Sequence, residues 1–421
     1  MIMKRLTVIF AAIVLCCAAF SQNEYTVIVN PAEDASTGAR INWHTDEGSG
    51  SGTCLYTKST DKKWKHSKKA VANREIITAF DSLSSKRADS QDFIERVRFI
   101  RNTVELQNLE PATEYMYRFS KDKNAPVRYF KTAPESGTWT AGVISDFHSY
   151  APLPGRAEAA MAMLDTLEKV NGSDFDLVLH VGDVCAWGGS YSFWRDLYAK
   201  PQFSKYLWAG VNGNHDNMDR RSTRLSNDYF HYTNNNPLNG YDGEMGVCYY
   251  FKYGNALFIM LNNENMRSDS GLATAQEWVR KTIRENPAKY IVVMEHYQWF
   301  YGNDGRTSQY SRWHDLFDEY GVDLAIAGNN HIYARTNAIY QDVETDGSKG
   351  TVYLQTPSSD NERGQATKEW TENKDKIKFI WSEGPKTVGG VLMKVSDEKM
   401  TLTLFDRNGV AIDSVNVLAK R

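Results

Sequence analysis

The sequence predicts two folded units in tandem, an N-terminal all-β sandwich followed by an α/β domain with a layered core. Three observations carry this reading. From Glu24 to about Pro134 no helical period is sustained and short β-rich runs recur, several alternating with period two. From Thr140 onward, apolar strand-like runs alternate with helical patterns. The chain has 421 residues, more than one hydrophobic core usually serves. The 29 Gly and 11 Pro are too few for collagen-like or low-complexity chains. Lys and Arg number 49 against 52 Asp and Glu, so no broad cationic surface is available to wrap nucleic acid.

The N-terminus reads as an export signal, Met1–Ser21. Lys4 and Arg5 precede an apolar run from Leu6 to Phe20, too short for a membrane span, and Ala19 and Ser21 suit cleavage before Gln22. Cys16 and Cys17 raise a lipoprotein alternative, which ranks lower because neither follows a small residue. No later run approaches membrane length. The expected location is therefore periplasmic or secreted. Three cysteines follow the signal, Cys54, Cys185 and Cys248, and the reading is buried free thiols rather than a disulfide framework.

The first unit is expected over residues 22–135. Its strands are Tyr25–Val29, Ala39–His44, Thr53–Tyr56, Val97–Leu106, Thr113–Phe119 and Val127–Lys131. The stretch from Leu109 through Tyr115 and Tyr117 to Phe119 resembles the sixth-strand corner of fibronectin type III domains. Nothing in this unit has catalytic character. Pro134–Gly137 reads as a linker.

The second unit is expected over 136–421. Thr140–Ile144 is a strand ending at Asp146 and His148, and a helix follows over Arg156–Val170. Asp176–Val181 ends at Gly182-Asp183. Tyr206–Val211 ends at Asn212-Gly213-Asn214-His215-Asp216. Cys248–Phe251 and Ala256–Leu261 form a hairpin, with a helix over Thr274–Glu285. Lys289–Met294 ends at Glu295-His296. After a helix over Tyr310–Tyr320, Asp323–Ala327 ends at Gly328-Asn329-Asn330-His331. Residues 355–385 read as loop and helix, and Thr387–Val395, Met400–Phe405 and Val410–Val417 as closing strands. Five times a strand ends and a metal-capable or acid–base residue follows at once. Ligands gather at the carboxyl ends of strands in α/β folds. Carboxylate, imidazole and amide oxygen suit Zn, Mn or Fe at an open site, and a carboxylate can bridge two such ions.

This order of blocks, Asp-x-His, Gly-Asp, Gly-Asn-His-Asp, a strand-terminal His and Gly-x-x-His, resembles the calcineurin-like metallophosphoesterases. With the sandwich in front, it is most similar to the purple acid phosphatases and their bacterial relatives. The resemblance implies a four-layer domain, two mixed sheets flanked by helices. It implies two divalent or trivalent ions (Fe, Mn or Zn). Asp146, His148 and His331 would hold the first and Asp183 would bridge. Asn214 and His296 would hold the second, with Asn329 as a further donor. His215 would contact the phosphoryl group and protonate the leaving oxygen, with Asp216 orienting its ring. A hydroxide held between the ions would attack phosphorus in line, without a phospho-enzyme. The implied activity is that of an exported phosphohydrolase, first a phosphomonoesterase, on a phosphorylated small molecule or polymer. The alternatives are a phosphodiesterase on the same scaffold and a binding protein with a degenerate metal site.

Two positions depart from the family pattern. Ala186 stands where purple acid phosphatases carry the tyrosine behind their colour, so this chain is expected to be colourless, with His148 supplying the donor. Asn329 stands where the last block usually has histidine, and implies a weaker second site. His180 reads as a core histidine, and His44, His66, His231 and His314 as structural. Cys185 reads as a buried thiol. Tyr150, Trp187, Tyr297, Trp299, Tyr301 and Tyr333 read as wall residues or as stacking surfaces for a leaving group. Arg335 reads as structural rather than as a phosphate clamp.

Overall fold

The computed structural model describes residues 24–49, 51–82, 94–151, 153–217, 248–262, 266, 268–300, 309–359, 374–383 and 387–421. The export signal, His231 and Tyr301 lie outside the described residues.

The C-terminal half is built on parallel strands, and their sequence shows why. Trp139–Ile144, Leu177–His180 and Leu207–Gly210 are buried on both faces and pair in parallel, residue for residue. Such strands read as unbroken apolar runs because both faces must be covered. Tyr290–Met294 and Leu324–Ala327 do the same in a second sheet, between Ala256–Met260 and Thr351–Gln355. Period-two alternation splits this second sheet's side chains. Phe258, Val292, Met294, Leu324 and Ile326 join the main core toward the first sheet. Leu257, Ile259, Ile291, Val293 and Ala325 pack with Trp278, Trp313 and Phe317 of the outer helices, Asp269–Glu285 and Gln309–Tyr320. Helix Gly155–Asn171 covers the other face of the first sheet. A Cβ on Gly142 would come within 2.8 Å of Leu164 Cδ1, so glycine lets helix and strand approach. The four layers are thus helix, sheet, sheet, helix.

The N-terminal unit is a sandwich with one difference from expectation. Its smaller sheet runs Lys68–Val71, Thr53–Lys58, Glu114–Arg118, Arg128–Lys131. Its other sheet, Tyr25–Pro31, Ala39–Thr45, Ile94–Leu106 and Asn73–Ser82, faces it, with Trp43 stacked on Phe119 at 4.1 Å. That second sheet is not closed. Tyr25–Pro31 pairs in parallel with Leu207–Gly210, Val29 opposite Leu207, so among the described residues sandwich strands and C-terminal strands form one ten-stranded sheet. Asn30 Nδ2 donates to the Trp208 carbonyl at 2.8 Å across this join. The turn after Tyr25–Pro31 also reaches the other sheet: Ala35 N donates to Lys252 O and Lys252 N to Glu33 O, beside the edge strand Tyr249–Tyr253.

Several elements differ from the sequence reading. Lys68–Val71 and Asn73–Ser82 are strands, although the first is charged and largely exposed. Tyr191–Tyr198 and Gln202–Lys205 are helices too short to show a period. The first outer helix begins at Asp269 rather than Thr274, where Ser268 Oγ accepts from Gly271 N. Within 355–385, the described part holds one helical turn, Lys374–Lys376, and a strand, Phe379–Trp381, paired to Tyr333–Tyr340. Cys54, Cys185 and Cys248 are buried thiols. No helix among the described residues is long and apolar enough to cross a membrane.

Candidate metal centre

The five strand ends meet at one place. Asp146 and His148 follow Trp139–Ile144, Asp183 follows Leu177–His180, Asn214 and His215 follow Leu207–Gly210, His296 follows Tyr290–Met294, and Asn329 and His331 follow Leu324–Ala327. Backbone bonds join the loops: Asp146 N to Gly182 O, His148 N to Asp183 O, and Gly328 N to His296 O. Three motif glycines permit this closeness. A Cβ on Gly213 would lie 2.1 Å from Asp183 Oδ1, one on Gly182 2.6 Å from His296 Nδ1, and one on Gly328 2.7 Å from Asp146 Oδ2. Asp146, His148, Asp183, Asn329 and His331 all have φ between 44° and 71°. Left-handed backbone at five non-glycine residues is strain of the kind that surrounding structure imposes at functional sites.

The ligand atoms form three overlapping groups, Asp146–His148–His331, His148–Asp183–His215 and Asp146–Asp183–His296, each spanning no more than 4.8 Å. Asp183 Oδ2 lies 3.2 Å from His148 Nε2 and 3.3 Å from His296 Nε2, and His331 Nε2 is 3.5 Å from Asp146 Oδ1. Three imidazoles are tied at Nδ1 to backbone carbonyls: His148 to Asp146 O at 2.9 Å, His296 to Val181 O at 2.7 Å, and His215 to Ala186 O at 2.8 Å. An Nδ1–H donated to a carbonyl leaves Nε2 as the ligand atom.

Electrostatics reflect a crowded acidic pocket. Burial pushes the Asp146 carboxyl up to about 7, aided by Asp183 and opposed by His296. Burial also acts to raise Asp183, but His296 and His148 outweigh it and hold it well below the usual carboxylate range. Burial acts to lower His296, and Asp183 overrides it, raising the imidazole to about 10. These residues fit a metal pair. The donor set is carboxylate and imidazole, and Asn214 Oδ1 is a buried acceptor without a hydrogen-bond partner.

One role implied by the family resemblance is corrected. Asp216 does not orient His215, whose ring is tied to the Ala186 carbonyl. The Asp216 carboxylate accepts instead from Cys185 N and Gly213 N, both at 2.8 Å, and from Val184 N at 3.4 Å. It joins the loop carrying Asp183 to the loop carrying Asn214. Burial, with Asp183 nearby, pushes it up to about 7.

His180 is a core residue against Gly210, and burial lowers it to about 3. His44 is buried and stacked on Phe99. Arg335 pairs with Asp413 at 2.7 Å. Trp187 lies 5.4 Å from the His215 ring, whereas Trp299 and Tyr333 are core residues. Residues the sequence did not flag complete the site. Ser145 Oγ donates to Asp146 Oδ2 at 2.5 Å, and Ser358 Oγ donates to Asp146 O at 2.8 Å. The backbone of Ser359 donates to Ser145 O. Gln298 Oε1 accepts from Asn329 Nδ2.

Two strands of evidence from known proteins agree with this geometry. Residues 140–333 match the calcineurin-like phosphoesterase family, and residues 25–132 match the purple acid phosphatase N-terminal domain. The chain carries a calcineurin-like phosphoesterase domain preceded by a purple acid phosphatase N-terminal domain. More particularly, it is 24% identical over 326 residues to a purple acid phosphatase of Glycine max, covering 71% of this chain and 62% of that one. Uncharacterized proteins of two Mycobacterium tuberculosis strains are also 24% identical, over 304 residues, covering 60% of this chain and 56% of theirs. The chain thus spans less than two thirds of these relatives' length. The fold is similar to that of purple acid phosphatase PPD1 from yellow lupin (TM-score 0.70, 17% identity, 94% of this chain and 74% of that one). It is also similar to PhoD (TM-score 0.55, 13% identity, 94% and 93%).

Proposed function

We propose that the chain is an exported, metal-dependent phosphohydrolase, acting first as a phosphomonoesterase. The observation that carries this reading is the convergence of three ligand groups on the shared carboxylates Asp146 and Asp183, beside the orphan oxygen of Asn214. Asp146, His148 and His331 would hold one ion, Asn214, His296 and Asn329 the other, and Asp183 would bridge them. Bound there, a pair of Fe, Mn or Zn ions supplies Lewis-acid charge for a phosphoryl oxygen and lowers the pKa of water. The chain's own residues do the rest. The tied Nδ1 atoms of His148 and His296 keep their Nε2 atoms toward Asp183. His215, with Nδ1 on the Ala186 carbonyl, presents Nε2 to the centre and delivers a proton to the leaving oxygen. Buried Ala186 offers no phenolate, so the loaded protein should lack a tyrosinate–metal colour. Export is supported by Lys4, Arg5 and the apolar run to Phe20.

The test uses purified mature protein reconstituted separately with Mn(II), Fe(II) or Zn(II) and assayed on an aryl phosphate monoester and a diester in parallel. Hydrolysis of the monoester, abolished in Asp183→Ala and strongly reduced in His215→Ala, is expected. Activity that survives Asp183→Ala would refute the bridging role, and turnover of the diester alone would replace the monoesterase reading.

A further inference from the structure

The family's last block usually offers an imidazole where this chain has Asn329. A primary amide is an ambiguous replacement, because one end donates and only the other can coordinate a cation. We propose that Gln298 resolves the ambiguity, acting as a positioning residue that turns Asn329 into an oxygen donor for the second ion. This inference rests on the metal-pair reading above.

Four observations carry it. Gln298 is only 4% exposed, two residues after the ligand candidate His296 on the same strand-end loop. Its Oε1 accepts the hydrogen bond from Asn329 Nδ2, so the amide nitrogen is engaged and Oδ1 is left as the coordinating atom. The Asn329 backbone is fixed independently: φ is 71°, and its N–H donates to both oxygens of Asp146, at 3.1 and 3.2 Å. With the backbone pinned, a flip of the side chain about its last bond would give up the hydrogen bond to Gln298. Asn214, by contrast, already presents an unpartnered buried Oδ1. The second site would then rest on two amide oxygens and one imidazole beside the bridging carboxylate, and Gln298 sets one of those oxygens.

The experiment is calorimetric titration of Mn(II) into the metal-free full-length mature chain, with manganese content measured after dialysis. Wild type should take two equivalents. In Gln298→Leu the first should bind unchanged and the second at least ten-fold more weakly, the loss typical when a ligand's supporting partner is removed. Asn329→Asp supplies two equivalent oxygens and needs no orientation. In that background, adding Gln298→Leu should cost less than three-fold. Thermal melting of the metal-free variants separates metal loss from unfolding. Gln298→Met, unbranched and of similar length, carries the same expectation if the leucine variant does not fold. Unchanged binding of the second ion in the single variants overturns the proposal, as does an equal loss in both backgrounds. A wild type that takes one equivalent overturns it alone, and one that takes none overturns the metal-pair reading with it.

Discussion

Removing the Asp216 carboxylate tests whether that residue serves the chemistry or the loops. Its two 2.8 Å bonds, from Cys185 N and Gly213 N, are buried, and are charge-assisted above the carboxyl's raised value of about 7; the third, from Val184 N, is longer. Hydrogen bonds to a charged group contribute about 1.5–3 kcal/mol each, and buried donors left without an acceptor cost a similar amount. Asp216→Ala should therefore lose about 3–6 kcal/mol, a large share of the 5–15 kcal/mol that about spans native stability. Asp216→Asn should be almost as damaging, because its amide nitrogen must face at least one backbone N–H. The assay is chemical denaturation of the metal-free chain alongside manganese content. Both variants should show a lowered midpoint and poor retention of metal, since the staple joins the Asp183 and Asn214 loops. If Asp216→Ala unfolds within 1 kcal/mol of wild type, keeps two ions and loses only turnover, the staple reasoning is wrong. Asp216 would then act through His215 after all.

Four further outcomes are expected. Gly213→Ala should strip the site of metal, because the new Cβ falls 2.1 Å from Asp183 Oδ1, at an overpacking cost of about 1–3 kcal/mol; full metal content in this variant would contradict the close-approach argument. Metal binding at pH 7 should release protons, because His296, raised to about 10 by Asp183 despite its burial, must give up its proton to coordinate. Calorimetry in buffers of differing ionisation enthalpy reads that count, and zero release would refute it. The same group sets a sign for the metal-free fold: its stabilisation is complete below an ordinary value of 6.5 and is lost as pH climbs through about 10, which pH-dependent denaturation checks. Asp81→Ala should cost about 1 kcal/mol, since Asp81 of the sandwich accepts from Ser192 N at 3.0 Å and Ser190 Oγ at 3.2 Å at the start of helix Tyr191–Tyr198; an unchanged midpoint would show this contact to be idle.

The five strand-to-loop joints were legible in the sequence because each is local: a short apolar run, then glycine or a polar residue, within a few positions. A layered core followed from the alternation of strands and helices, and its four layers from the family resemblance. What the sequence did not show is long-range. Gln298 meets Asn329 31 residues away, and Ser358 meets Asp146 across 212. Neither serine nor glutamine carries a pattern that marks such a partner. Asn73–Ser82 was missed because an edge strand of a sandwich keeps polar residues on its open face, and Tyr191–Tyr198 because two turns show no period. The role given to Asp216 failed for another reason. Adjacency to His215 suggested an orienting carboxylate, while the backbone turns it toward two amides of the Asp183 loop and one of its own.

The shared sheet gives the sandwich a protective duty. Without Tyr25–Pro31, the strand Leu207–Gly210 would present a bare row of amides and carbonyls, and the turn at Glu33–Ala35 would no longer shield Tyr249–Tyr253. Unpaired strand borders of this kind recruit other chains. A C-terminal half severed from its partner at residues 134–137 would thus face self-association.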